Sequence, residues 1–205
     1  VKRCEARLNL VAALPAEAKA LTRILHLQRL ESERYLPVYV ANGIALVVTG
    51  PGLQAAQTGV RYLQQITVSR RVGWLNVGIA GHADLPLGEA LIASRVIGPE
   101  PAYTRDLQPL ACPGCSTLPV CTVTSPQTDY PDSRAYEMEA AGFVHAALES
   151  TLPDRIQVLK IVSDNRQHPT RAISARMVKE LILQQASLIR QLVERMQDHV
   201  TATSP

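Results

Sequence analysis

The sequence predicts an α/β fold: a single domain with a central mixed β-sheet flanked by helices. Three observations predict it. Short apolar runs suited to strands buried on both faces alternate with segments whose apolar residues recur at helical spacing. An Asn42-Gly43 pair between two β-rich runs marks a hairpin, so the sheet is not purely parallel. A length of 205 residues, 46% hydrophobic and 19% charged, suits one ordinary core, with no repeat, low-complexity block or linker to divide it. The domain is expected to span residues 1–200, with 201–205 a frayed tail.

Each element has its own signal. Residues 7–13 (Arg-Leu-Asn-Leu-Val-Ala-Ala) read as a buried strand, and Pro15 suits the first turn of a following helix in which Leu14, Ala18, Leu21 and Leu25 share a face. Residues 36–41 and 44–49 form the hairpin arms. Thr49-Gly50-Pro51-Gly52 is a tight loop, followed by a helix carrying Leu53, Ala56, Val60 and Leu63. Trp74–Gly78 is a strand running into a glycine turn, Ile79-Ala80-Gly81-His82, where backbone can approach a ligand closely. Strands are expected at 90–97 and 117–124, with an irregular Pro-rich stretch at 98–116 and a loop at 125–133. A helix is expected from Arg134 to about Glu149, a strand from Arg155 to Ser163, and one long helix from about Thr170 to Gln197.

Composition removes several classes of function. A net charge of +3, scattered basic residues, one Trp and one Phe give neither the patch nor the stacking platform of a nucleic-acid binder. No apolar run approaches the roughly 18 residues of a membrane span, and Val1-Lys2-Arg3-Cys4 does not read as a secretion signal, so the cytoplasm is the expected setting. Cys112-Pro113-Gly114-Cys115 followed by Cys121 is half of a zinc knuckle, with Cys4 or His82 as distant completions; a metal site, a thiol–disulfide pair and a plain turn of reduced thiols all remain open.

The polar residues that matter fall just after strands. Glu17, Gly50-Pro51-Gly52, Gly78 to Gly81, Glu137, Glu139 and Ser163-Asp164 would gather on one rim of a mostly parallel sheet, where open α/β folds bind ligands. Carboxylates, glycine turns and a methionine together suit a small polyhydroxylated ligand, and a carboxylate crowded by others is a candidate acid or base. The two acids of Tyr136-Glu137-Met138-Glu139 also suit a helix N-terminus, whose free N–H groups favour negative charge.

Five segments carry a resemblance. Leu10-Val11-Ala12-Ala13-Leu14-Pro15-Ala16-Glu17 is similar to the first strand and acidic turn of the purine nucleoside phosphorylase and nucleosidase superfamily, most closely its methylthioadenosine/S-adenosylhomocysteine nucleosidase branch. Thr49-Gly50-Pro51-Gly52 resembles that branch's Ser-Gly-Ile-Gly turn, and Asn76-Val77-Gly78-Ile79-Ala80-Gly81 its Asn-Thr-Gly-Ser-Ala-Gly. Tyr136-Glu137-Met138-Glu139-Ala140-Ala141 resembles Val-Glu-Met-Glu-Ala, and Ile161-Val162-Ser163-Asp164 resembles Ile-Ser-Asp.

The resemblance implies hydrolysis of a nucleoside's N-glycosidic bond. Glu17 would activate water, Asp164 would protonate or hydrogen-bond the purine at N7 with Ser163 orienting it, and Glu139 and Met138 would hold the ribose, with Glu137 at the sugar's edge or on the backbone. Gly50, Gly52, Ala80 and Gly81 would bring backbone up to the substrate. It implies no metal or organic cofactor, and a homodimer or larger oligomer. Ile79 replaces a serine of the family turn, and the 98–133 segment is shorter than its counterpart, so Thr124, Ser125 and Pro126 are expected near the base. A phosphorylase needs arginines for its phosphate, and here Ala13-Leu14-Pro15-Ala16-Glu17 and Asn76 stand in their places, favouring water as nucleophile. A phosphorylase and a non-catalytic nucleoside-binding protein remain the alternatives.

Overall fold

The computed structural model describes residues 4–31, 35–69 and 71–202; the Val1-Lys2-Arg3 start and the final Thr203-Ser204-Pro205 lie outside them. Ten strands and five α-helices follow in the order β1 (Leu8–Ala12), α1 (Pro15–Leu25), β2 (Gln28–Arg29), β3 (Val38–Ala41), β4 (Ile44–Val48), α2 (Leu53–Ile66), β5 (Gly73–His82), β6 (Ala90–Ile97), β7 (Arg105–Asp106), β8 (Cys115–Thr122), β9 (Ala135–Glu137), α3 (Ala140–Ala147), β10 (Ile156–Asp164), α4 (Ala175–Gln184) and α5 (Ala186–Ala202) among the described residues.

All ten strands join one mixed sheet. β5 is its hinge: β1 and β10 pair with it in parallel, and β9 pairs antiparallel at its carboxyl end. Beyond β1 come β4, then β3 and β2. On the other side β10 pairs with β6, β6 with β8 and β8 with β9, which returns to β5, so five strands close into a ring. Closure leaves the carboxyl ends of β1, β5 and β10 facing one hollow with β9 folded across it.

The central strands are buried on both faces, as their near-continuous apolar runs require. In β1, Leu8, Leu10 and Ala12 pack towards α1, α4 and α5, while Val11 packs towards α2 and α3. The second face also holds Trp74 and Phe143, whose rings meet edge to face. Among the described residues no helix is long and apolar enough to cross a membrane.

Four expectations are corrected. The glycine turn at Ile79–His82 is strand: β5 runs straight through it because β10 on one side and β9 on the other supply hydrogen-bond partners. The helix expected from Arg134 starts only at Ala140, since Ala135–Glu137 pairs as β9 first. The long last helix is two, broken at Gln185, whose side chain donates to the Gly88 carbonyl at 2.7 Å. The apolar residues divide between the two: Leu181 is buried on α4, and Leu192 and Met196 on α5. The second of these helices also continues through Thr201 and Ala202, where a frayed tail was expected.

Candidate functional site

The hollow at the strand ends is a cavity of about 150 Å³ lined by Glu17, Ala80, Gly81, Glu137, Met138, Glu139, Ser163 and Asp164, all expected from the sequence. Leu14, Ile79, Pro126, Gln127, Tyr136, Thr170 and others complete it. A second hollow of about 260 Å³ shares Pro51, Val123 and Met138 with it and adds Gly52, Leu53, Pro99 and Thr124. Gly50 lines neither; its N–H donates to the Ala13 carbonyl at 3.0 Å and fixes the loop against β1. Ser125 lines neither as well, whereas Pro126 faces the first hollow and Thr124 the second. A roomier concavity of about 580 Å³ lies at the opposite, amino ends of the strands, around Arg7, Asn42 and Asp198, away from these carboxylates.

Glu17 is in the first turn of α1. One carboxylate oxygen, Oε2, accepts the N–H groups of Ala13 (2.9 Å) and Leu14 (2.8 Å), which a helix start leaves without intrahelical partners. Its Oε1 accepts the Ile79 N–H at 3.1 Å, so the residue that replaces a serine contributes its backbone while its side chain adds apolar wall. Burial pushes the Glu17 pKa up; the Leu14 N–H and the Lys160 charge pull against it without cancelling the rise.

Glu137 and Glu139 separate into different jobs. Glu137 Oε2 accepts the N–H groups of Glu139 (2.9 Å) and Ala140 (2.8 Å) and so caps α3, while its Oε1 accepts the Thr122 hydroxyl at 2.5 Å. Thr122 Oγ1 in turn accepts the Ala141 N–H at 2.9 Å. Glu139 reaches into the cavity, with Oε1 accepting the Gly52 N–H at 2.8 Å. Burial pushes the Glu139 pKa up to about 7; Lys160 opposes that rise and Glu137 adds to it.

Lys160 is one of the site residues that sequence reasoning missed. It lies in the middle of β10, fully enclosed, 2.8 Å from Glu137 Oε2 and 3.9 Å from Glu139 Oε2. Burial alone would lower its pKa, but Glu137, Glu139 and Glu17 together hold it above the ordinary lysine value. The available signal was one charged residue in an otherwise apolar strand. Gly78 makes room for the cluster: a Cβ there would sit 2.9 Å from Glu17 Oε1 and 3.4 Å from Lys160 Nζ.

At the far end of the cavity Asp164 closes β10. Ser163 Oγ donates to its Oδ1 at 2.5 Å, Thr170 Oγ1 donates to its Oδ2 at 2.7 Å, and the Tyr130 hydroxyl also donates to Oδ2. Tyr130 is buried, and desolvation and the Asp164 charge push its pKa up to about 12, so it keeps the proton it donates. Gly81 is where this group meets β5: a Cβ there would lie 2.7 Å from the Tyr130 hydroxyl and 2.8 Å from Asp164 Oδ2. Tyr130 and Thr170 were missed because both lie outside the strand ends. The His82 ring is engaged by backbone: its Nδ1 accepts the N–H groups of Asp84 and Leu85, which makes Nε2 the donor to the Ser133 carbonyl.

The arrangement holds three carboxylates and one buried ammonium at one end and a hydroxyl-fed carboxylate at the other. No described residue lining the cavity is Arg or Lys. Among the described residues, no group of three or more His, Cys, Asp or Glu is placed to hold a metal ion.

Neither a protein-family model nor a curated protein matches the sequence. Solved structures do match its fold. The 5′-methylthioadenosine nucleosidase of Arabidopsis thaliana is similar over 98% of both chains, with a TM-score of 0.70 at 16% identity. An aspartate-to-asparagine mutant of the Helicobacter pylori enzyme, holding 5′-methylthioadenosine in its active site, matches 94% of this chain and 100% of its own, with a TM-score of 0.71 at 11% identity. The S. pneumoniae 5′-methylthioadenosine/S-adenosylhomocysteine nucleosidase, solved with a transition-state inhibitor, matches 93% and 97%, with a TM-score of 0.67 at 17% identity. At these identities the likeness is one of fold: the chain has the architecture of these solved nucleosidases.

Proposed function

We propose that the protein is a nucleosidase that hydrolyses the N-glycosidic bond of a purine nucleoside or a close relative of one. The observation that carries this reading is the one cavity in which Glu17, Glu139, Met138 and Asp164 meet, with acids at both ends and neither Arg nor Lys among the described residues of its lining. Departure of the base leaves a ribosyl cation, and a pocket that excludes water and concentrates carboxylates stabilises such charge most strongly. Glu17 takes the proton of the attacking water; burial raises its pKa, which makes it a stronger base than an exposed carboxylate. Glu139 accepts hydrogen bonds from the ribose hydroxyls over Met138, and Glu137 holds the start of α3 and Lys160 in place. Asp164, oriented by Ser163, Thr170 and Tyr130, meets N7 of the purine and makes the base a better leaving group.

The absence of Arg and Lys from the described lining supports water over phosphate as the nucleophile, because a phosphate dianion beside Glu17 and Glu139 would be repelled. The adjoining hollow behind Pro51 and Met138 is the seat we assign to the 5′-substituent, and a second copy of the chain is the expected cover for it. The deciding experiment is release of free base from adenosine, inosine, methylthioadenosine and futalosine, with and without phosphate. Release without phosphate is expected. Release that depends on phosphate overturns hydrolysis, and tight binding of all four without release would make the protein a nucleoside binder.

A further inference from the structure

Well away from the cavity, the segment Cys112-Pro113-Gly114-Cys115 leads into β8. It is a tight turn closed by the Cys115 N–H donating to the Cys112 carbonyl at 3.0 Å, with Gly114 at φ +89°. A turn of this kind brings its first and fourth Cα atoms within about 7 Å, which overlaps the span a disulfide bridges. The two thiols are close enough across the turn to influence each other. Both are half-buried, so a small reagent can reach them. Cys112 also borders a shallow hollow formed with Leu188, Leu192 and Arg195 of α5, and the Arg195 guanidinium donates to the neighbouring Ala111 carbonyl.

We propose that Cys112 and Cys115 are a reversible thiol–disulfide pair that exchanges with small disulfides of the glutathione class. Cys112 is the attacking sulfur. The Cys115 thiol donates to it and Arg195 adds positive charge, which together hold the Cys112 pKa below the ordinary thiol value, while the same hydrogen bond and burial push Cys115 well above it. The Cys112 thiolate attacks one sulfur of the small disulfide, forming a mixed disulfide and releasing one small thiolate. Cys115 then gives its proton to solvent and attacks the Cys112 sulfur, releasing the second. Two protein thiols are oxidised and one small disulfide is reduced to two thiols.

The other cysteines are excluded as partners by position. Cys121 sits six residues further along the same strand, about 20 Å away at ~3.3 Å per residue, beside Tyr130 and Tyr136. Cys4 bridges to Thr67 beyond α2. Zinc would need further ligands, and none of the described residues supplies a third.

The test uses the full reduced chain equilibrated with mixtures of oxidised and reduced glutathione, then trapped by alkylation and mapped by mass spectrometry. The expected product is a Cys112–Cys115 disulfide with Cys4 and Cys121 still alkylatable. Limiting iodoacetamide should label Cys112 roughly tenfold faster than Cys121 at neutral pH. Cys115→Ser should trap glutathione on Cys112, and Cys112→Ser should trap none on Cys115. Equal labelling of Cys112 and Cys121, glutathione spread over all the cysteines, or zinc uptake that protects the pair from glutathione would each overturn the proposal.

Discussion

The two ends of the cavity solve the problem of a buried carboxylate in opposite ways. At the Glu17 end, three acids are held by backbone N–H groups and one enclosed ammonium, Lys160, so charge is balanced by charge. At the Asp164 end, one acid is held by three neutral hydroxyls, so direction is supplied without counter-charge. The first arrangement suits a place where positive charge develops on a sugar; the second suits a place where a proton must be met at a fixed point on a base. Disturbing each end should therefore fail differently.

The largest effect is expected at Lys160. Lys160→Met leaves Glu137 and Glu139 buried without their cation, and losing one partner of a buried pair costs about 3–5 kcal/mol, read as a lowered urea midpoint. Adding Glu137→Gln to that variant should recover part of the loss; a double variant as unstable as the sum of the two singles would show that the pair is not coupled. Next, Asp164→Asn should lower kcat by at least ~10²-fold, about 2.7 kcal/mol, with KM moved far less and the urea midpoint nearly intact. A change confined to KM would assign Asp164 to binding alone.

Glu139 gives a pH-dependent signature. Its pKa is raised from 4.5 to about 7 by burial, so between those values the folded chain holds more protons than the unfolded one, and stability falls as pH rises through that window. Glu139→Gln removes the penalty and should raise stability at pH 8 by about 2 kcal/mol, with little change at pH 5, while activity falls. Equal shifts at both pH values would place the effect elsewhere. The smallest effect is expected from Tyr130→Phe, which keeps the ring and removes one of three donors: a loss of about 1 kcal/mol, or roughly fivefold in kcat. No change in the pH profile of kcat would reduce Tyr130 to a packing residue.

The same division marks what could be read in the sequence. Glu17, Glu139 and Asp164 were legible because parallel strands send their carboxyl ends to one rim, and the residues just past those ends announce themselves. Glu137 was legible as a backbone partner, since an acid before an Ala-rich helix suits the helix start whatever else it does. Lys160 was not. Its partners lie on other elements, and one lysine in an apolar strand reads as an interruption until the strands are assembled. Tyr130 and Thr170 reach Asp164 from loops whose course depends on the closure of the strand ring. The continuation of β5 through Ile79–His82 was hidden for the same reason: two glycines suggest a turn unless a partner strand arrives, and β9 arrives from sequence more than fifty residues later.

The closure of that ring bears on how the protein is made. β10 enters between β5 and β6 after most of the chain has been synthesised, and it brings Lys160, Ser163 and Asp164 with it. A nascent chain that stops before Ile156 holds Glu17, Glu137 and Glu139 without Lys160 and lacks Ser163, Asp164 and Thr170. Pairing across such long sequence separations is slow to form, and the acids would wait in water until it does. Ligand capacity should then appear in a single late step, and a nucleoside analogue added during refolding would act on that step alone, trapping finished molecules by mass action while leaving amino-terminal fragments unbound.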